Sequence, residues 1–220
     1  MMSNDTPSKP AYDRFVDSMV MDYDKWHDGI GYDLAALREM SPDDRASVSQ
    51  TLRIREQTWR ELEALAVLAE LDAGPAQPSQ SRQAIEASLK DDKADTRLAA
   101  AELLRQQGRM KDFDQFLARE IRNLNRIEQG LTRALLLAEQ YPSETVKQAL
   151  LYASWNRTEC ATHCAALLCY LAGVATSPFD WSLRPLFLRL GPNNSYFERK
   201  AAFDELSEKV NMTLDESQGP

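Results

Sequence analysis

One group of side chains has the types and the spacing of metal ligands. Cys160, His163 and Cys164 stand at positions i, i+3 and i+4, so they share one face of a helix and can ligate zinc. A structural zinc site needs a fourth ligand, and neither a second histidine nor a pair of cysteines lies nearby in the sequence. The surrounding residues are small and apolar, and free thiols are common in protein cores. We therefore predict that these cysteines are buried packing residues and that no metal is bound.

The segment from Tyr23 to Asp33 combines aromatic residues, a histidine, three acids and two glycines. Its polar groups can hold a cation or supply a general acid and base, but their spacing matches no metal-binding loop. The favoured interpretation is a cap, in which two aromatic side chains cover the open end of a helical array and the glycines form a turn. Binding of a partner is the second interpretation. The residues that would contact it are Trp26, His27, Asp28, Tyr32 and Asp33.

A second aromatic cluster follows near the C-terminus, from Phe179 to Leu188. Tryptophan and arginine are enriched at the centres of protein interfaces, so Asp180, Trp181 and Arg184 are candidate contacts with a partner. The same residues are equally consistent with a C-terminal cap in which Asp180 pairs with Arg184. Both interpretations stay open at this point.

Motifs of nucleophilic and metal-dependent catalysis are absent from the sequence. It contains no G-x-S-x-G elbow, no catalytic-cysteine signature and no H-E-x-x-H, and it has two histidines in all. Pairs of glutamates such as Glu61 and Glu63 are more simply explained as solvated helix faces. We predict no catalytic residue and no cofactor.

The net charge of the chain indicates which classes of molecule it can bind. It carries 34 acidic and 26 basic residues, a net charge of −8, and its pI is about 4.9. Neutralising several phosphates requires a surplus of lysine and arginine, so we expect neither nucleic acid nor an anionic membrane as partner. A basic protein suits this charge better. With no signal peptide, membrane span or disulfide framework in the sequence, we expect a soluble cytoplasmic protein.

Helical patterns dominate the chain, because leucine, alanine, glutamate, arginine and glutamine outnumber the β-branched residues. The first pattern, from Ala11 to about Tyr23, is broken by the glycines of the segment that follows. Ser41 and Pro42 are strong start signals for another helix. Pro185 argues against a simple helix through the C-terminal aromatic cluster. The further predicted helices cover 58–71, 81–90, 94–107, 111–124, 126–140, 143–155, 159–172 and 195–210. We predict disordered tails at 1–10 and 213–220, with a short flexible connection at 74–79.

Internal repetition indicates the architecture. The run from Ala84 to Gly108 reads L-K-D-D-x-x-x-x-R-x-A-A-A-x-L-L and resembles a HEAT repeat, in which an acidic turn precedes an arginine and an alanine-rich packing face. Arg97 matches the arginine of that family and Asp92 its turn acid, and Arg60 fits the same arginine position. The resemblance is weaker over 143–173 and 41–71. It implies an all-α fold, a right-handed α-solenoid of stacked antiparallel helix pairs with atypical N- and C-terminal caps, over a single domain at 11–212.

The expected function is protein binding, because stacked helix pairs create extended binding surfaces. In size, charge and lack of catalytic motifs the chain is similar to bacterial immunity proteins, which neutralise a basic toxin domain by direct binding. Two alternatives stay open. HEAT-like DNA glycosylases process nucleic acid on this architecture, and an assembly adaptor or chaperone would have the same sequence features.

Overall fold

The computed structural model describes residues 10–72, 79–124, 130–178 and 180–214, with the side chain of Trp26 outside the description. These ranges contain thirteen α-helices and no β-strand, which confirms the predicted all-α class. Outside the described residues lie most of the predicted tails 1–10 and 213–220, most of the predicted connection 74–79, the start of the predicted helix 126–140, and Phe179. No helix in the described ranges has the length and apolar character needed to cross a membrane.

The chain divides into two compact units, residues 1–90 and 91–220. The boundary falls inside the run that resembles a HEAT repeat. Unit 1 contains α1 (Ala11–Met19), α2 (Tyr23–His27), α3 (Leu34–Glu39), α4 (Pro42–Ile54), α5 (Trp59–Leu71) and α6 (Gln80–Ser88). Unit 2 contains α7 (Ala94–Gln106), α8 (Phe113–Asn123), α9 (Leu131–Gln140), α10 (Glu144–Asn156), α11 (Ala161–Leu171), α12 (Arg184–Arg189) and α13 (Tyr196–Val210).

Unit 1 is built around α5, against which α3, α4 and α6 all pack. Residues of α5 are therefore buried on most sides, among them Leu62, Leu65 and Leu68. The helix begins at a capping box in which the Thr58 and Glu61 side chains satisfy free backbone N–H groups in the first turn. Helix α1 packs on α3 through its buried Phe15.

Unit 2 has α10 at its centre, packed between α8 and α11. Small side chains such as Ala149, Ala153 and Ala165 are fully buried there, and they let the helices approach closely. Helix α7 packs against α8 and α9, while α12 and α13 pack on α11. Ala100 of α7 is fully buried, which confirms the predicted packing face, whereas Leu103 is only half-buried.

Three short helices, α2, α3 and α12, were not predicted from the sequence. Asp22 caps α2 by accepting a hydrogen bond from the backbone N–H of Lys25, so one helical turn precedes the glycines that were expected to break the pattern. Asp33 caps α3 in the same way. Pro185 lies in the first turn of α12, where a residue without an N–H group costs no helical hydrogen bond.

The arginine of the HEAT-like run binds backbone as well as a carboxylate. In unit 2, Arg97 donates from Nη1 to the carbonyl oxygens of Asp91 and Asp92, at 2.8 and 3.0 Å. Its Nε and Nη2 donate to Oε2 of the buried Glu120 at 3.0 and 2.5 Å. Arg97 thus binds the acidic turn through its backbone carbonyl groups and forms its ion pair with Glu120 of α8.

Candidate partner-binding groove

Tyr32, a candidate contact residue, lies in the interior of unit 1. Its hydroxyl donates a hydrogen bond to Oε1 of Glu61 at 2.5 Å, and its ring meets that of Phe15 edge to face at 5.7 Å between centroids. Burial raises the pKa of Tyr32 above its usual value, and the hydrogen bond to Glu61 adds to the effect. The side chain thus joins α1 and α5 across the unit.

Glu61 was expected on a solvated helix face, and that expectation is wrong. Its residue surface is 3% exposed. Oε2 accepts hydrogen bonds from the backbone N–H of Thr58 at 3.1 Å and from its hydroxyl at 2.5 Å, and Nε of Arg55 lies 3.6 Å from Oε1. A buried carboxylate is tolerated when its lone pairs are used in this way. The capping box therefore also provides the acceptor for Tyr32.

The remaining residues of the first candidate cluster separate into interior and surface. Asp33 accepts a hydrogen bond from the backbone N–H of Ala36 at 2.8 Å, and Nε of Arg14 lies 3.5 Å from its carboxylate. His27 and Asp28 are exposed and touch each other at 2.9 Å between Nδ1 and Oδ1. The backbone of Trp26 belongs to α2. Gly29, at φ +63°, provides the turn after α2 that the cap interpretation assigned to these glycines.

The second candidate cluster contains a structured turn and an exposed ring. Asp180 accepts hydrogen bonds from the hydroxyl and the backbone N–H of Ser182, at 2.6 and 3.0 Å, and from the N–H of Thr176 at 3.4 Å. These bonds, with that to the Ser182 hydroxyl first, hold the pKa of Asp180 below its usual value. Within the described residues Asp180 and Arg184 form no ion pair, contrary to the pairing expected for a cap. Arg184 instead stacks on the ring of Trp181, at 4.8 Å.

Trp181 and Arg184 form one wall of a groove in unit 2 with a volume of about 460 Å³. Helices α9 and α11 form the rest of the groove with α12. The apolar side chains along it are Leu131, Leu135, Leu136, Ala166, Leu167, Pro178, Trp181, Phe187 and Leu188. The polar side chains at its rim are Thr132, Glu139, Thr162, His163, Asp180 and Arg184. Mostly apolar lining with a few polar groups is the composition of a binding site.

Helix α9 supplies the apolar side of this groove because it has more leucines than its unit can bury. Leu131 and Leu137 are buried, whereas Leu136 is 60% exposed and Leu135 is intermediate. Successive residues of a helix are separated by about 100°, so three consecutive leucines at 135–137 cannot all face one neighbour. This run of leucines is the signal in the sequence for the groove.

Helix α12 is held in place by a hydrogen bond from α11 and by its own buried side chains. Thr162 donates its hydroxyl hydrogen bond to the carbonyl oxygen of Phe187 at 3.1 Å, which ties α12 to α11. Leu186 and Phe187 are buried, and Leu188 remains half exposed on the groove side. Leu188 thus stands on a helix that is tied to α11.

The three cysteines of unit 2 are fully buried, as predicted. Burial raises the pKa of Cys164 above its usual value and that of Cys169 to about 11. His163 does not share their environment, because it is exposed and lies at the groove rim. Among the described residues no three histidine, cysteine or acidic side chains are grouped as metal ligands.

The two predicted contact clusters therefore differ in what they offer a partner. Asp180, Trp181 and Arg184 converge on one groove, whereas Tyr32 and Asp33 serve the interior of unit 1. Compared with known proteins, the chain matches no family model, no curated protein and no solved structure at a significant level.

Proposed function

We propose that this chain is a protein-binding module that takes part of its partner into the groove of unit 2. The observation that carries the proposal is the exposure of large apolar side chains along the groove. Trp181 is 75% exposed, and Leu136 and Leu188 are each more than half exposed. Contiguous apolar surface of this kind is costly in water and is typical of interaction sites.

Tryptophan and arginine side by side strengthen this assignment. They are the residue types that most often dominate the binding energy of protein interfaces, usually where a partner excludes water from them. Here the guanidinium of Arg184 lies over the Trp181 ring, so the two present one amphipathic surface to a ligand. An apolar anchor from a partner would bury that ring together with Leu136 and Leu188.

The partner that suits this chain is a basic protein, and the proposed role is that of a direct-binding inhibitor such as an immunity protein. The net charge of −8 supports this, because opposite charge speeds the encounter of inhibitor and target. An adaptor would use the same surface with a different partner. The proposal includes the HEAT-like solenoid, for which consecutive packed helices such as α5 with α6 and α10 with α11 are support.

The experiment begins with affinity purification of the full chain and identification of the bound protein by mass spectrometry. Both proteins are then purified, and the dissociation constant is measured for the natural chain, Trp181→Ala and Leu136→Glu. Each variant should weaken binding by about tenfold or more, because it removes an apolar anchor or places a charge in its pocket. Complex formation should also slow as salt rises.

Phe197→Ala is the matched control, because Phe197 of α13 is an exposed aromatic residue that does not line the groove. It should bind the partner like the natural chain. Unchanged affinity in Trp181→Ala and Leu136→Glu would contradict the groove as docking site. Tight binding of DNA duplexes at physiological salt, with no protein partner, would favour the glycosylase-like alternative instead.

A further inference from the structure

The side chains that line the groove of unit 2 are spaced as the ridges of helices. On α9, Thr132 is followed four positions later by Leu136, and on α11, His163 is followed four positions later by Leu167. Residues separated by four positions lie one above the other along a helix, so each pair belongs to one ridge. Helices pack by setting the ridges of one between the ridges of the next. The groove therefore has the surface relief that a further helix fits.

The backbone of the groove walls favours the same occupant. Helices pair their own N–H and C=O groups, and the described residues contain no β-strand whose edge would pair with an incoming chain. An extended segment would turn backbone groups onto apolar side chains, where those groups would lose water without gaining a partner. A helix pairs its backbone groups internally and presents side chains alone.

Polar side chains at the rim do not replace such an edge. The hydroxyl of Thr162 donates to the carbonyl oxygen of Phe187, and the carboxylate of Asp180 accepts from Ser182. Both groups are thus engaged within unit 2. The groove offers an occupant mainly apolar contact, which suits the apolar stripe of an amphipathic helix.

Two charged side chains at the rim give the groove a direction. Glu139, near the end of α9, is exposed, and Arg184, the first residue of α12, lies over the ring of Trp181. Neither forms an ion pair with a residue that the structure describes. An occupant therefore meets an acid on the α9 side and a base on the α12 side.

We infer that the partner enters the groove as an amphipathic α-helix. Its apolar side chains, three and four positions apart, pack on Leu136, Trp181 and Leu188. A lysine or arginine on one edge meets Glu139, and an acidic residue on the other edge meets Arg184. The inference rests on the proposed function, which places a partner in this groove, and it adds the structure and the charge pattern of the segment that binds.

The probe is a phage-displayed library of random peptides of about 16 residues, long enough for roughly four helical turns. The library is selected on the full chain, and peptides that also bind Trp181→Ala or Leu136→Glu are removed, so that those retained depend on the groove. We expect the enriched sequences to carry apolar residues at positions i, i+4 and i+7. Enrichment of sequences with apolar residues at every second position would indicate an extended ligand and would overturn the inference.

The most enriched peptide is then synthesised and titrated against the purified chain. Proline at its centre should weaken binding by about tenfold or more, because proline breaks a helix. Glu139→Lys should weaken binding by about fivefold, and replacing the facing base of the peptide with glutamate should restore it. The matched control is Glu208→Lys, the same change at an exposed acid outside the groove, which should change the affinity by less than about twofold.

Circular dichroism melting of each variant checks that the fold is retained. Equal binding of the proline peptide, or equal weakening by Glu208→Lys, would overturn the inference. So would the recovery of no groove-dependent peptide while the purified partner still loses affinity for Trp181→Ala, and the proposed function would then stand without it. A partner whose affinity is unchanged by Trp181→Ala and by Leu136→Glu would contradict the proposed function itself.

Discussion

The two aromatic clusters of this chain look alike in sequence and have opposite uses in the structure. Each combines aromatic side chains with acids and a basic or imidazole group. In unit 1 the side chain of Tyr32 is buried against Phe15, and its hydroxyl donates a hydrogen bond to Glu61. In unit 2 Trp181 stands in solvent at the edge of a groove. The two clusters differ because neighbouring helices give Tyr32 a buried hydrogen-bond acceptor, Glu61, and an aromatic ring, Phe15, to pack against.

The comparison shows why residue type alone does not identify an interface. Tyr32 becomes interior because Glu61, 29 positions later, is fixed by its own capping box and can accept the tyrosine hydrogen bond. Trp181 stays outside because its nearest partner is Arg184, which lies over the ring and keeps its charge in water. Tyr32 therefore stabilises its unit, whereas Trp181 remains exposed to solvent.

The largest expected effect that tests this contrast is on stability. Tyr32→Ala should lower the free energy of unfolding by about 3–5 kcal/mol, because it leaves a cavity beside Phe15 and removes a hydrogen bond from the buried carboxylate of Glu61. Trp181→Ala should lower it by less than about 1 kcal/mol. Urea denaturation followed by circular dichroism measures both. Similar losses in the two variants would remove the distinction between an interior and a surface cluster.

A second, smaller effect concerns the packing of unit 2 that supports the groove. Ala100→Leu should cost about 1–3 kcal/mol, because Ala100 is fully buried on α7, which packs against α8 and α9. Gln106→Leu is the control on the same helix, since Gln106 is exposed. An unchanged melting temperature in Ala100→Leu would show that this face of α7 is open.

A third effect is the dependence of the free energy of unfolding on pH, which should begin at different pH values for groups of the two units. The raised pKa values mean that folded Cys164, Cys169 and Tyr32 keep their protons after the unfolded chain has lost them. Unfolding then releases protons, so stability falls as pH rises, by up to about 1.4 kcal/mol per pH unit for each group. The fall should begin near pH 8.5 for the thiols of unit 2 and near pH 10 for Tyr32.

Two variants show how much of the loss of stability at high pH comes from each unit. Cys164→Ala should reduce the slope of stability against pH from about pH 8.5 upward, and Tyr32→Phe should reduce it only above about pH 10. Denaturant titrations between pH 7 and 11 measure the slopes. The prediction fails if each variant shifts stability by the same amount at every pH, since neither group would then be linked to proton release.

Much of the fold could be predicted from local patterns. Helix starts at Ser41, Thr58 and Ser195 follow from capping residues, which act within one turn, and the burial of the cysteines follows from their apolar neighbours. The short helices α2, α3 and α12 were missed because single turns carry too few residues for a periodic signal. The buried position of Glu61 could not be predicted, because it depends on Tyr32 meeting it through tertiary packing.

The candidate site was predicted in part. Asp180, Trp181 and Arg184 do line one groove, but the pairing expected between Asp180 and Arg184 is replaced by a turn and a stacked ring. Leu135 and Leu136 were missed, although three consecutive leucines were visible in the sequence. Which of those leucines faces out depends on the rotation of α9 against its neighbours, and no local pattern specifies that rotation.

The central claim is that a partner protein enters the groove of unit 2. The most direct measurement places a photoreactive benzoylphenylalanine at Leu136, Leu188 or, as control, Phe197, and identifies what each position cross-links when the purified partner is bound. We expect efficient cross-links from positions 136 and 188 and few from position 197, although the residue there is 83% exposed. Cross-links from position 197 alone, with none from the two groove positions, would contradict the claim.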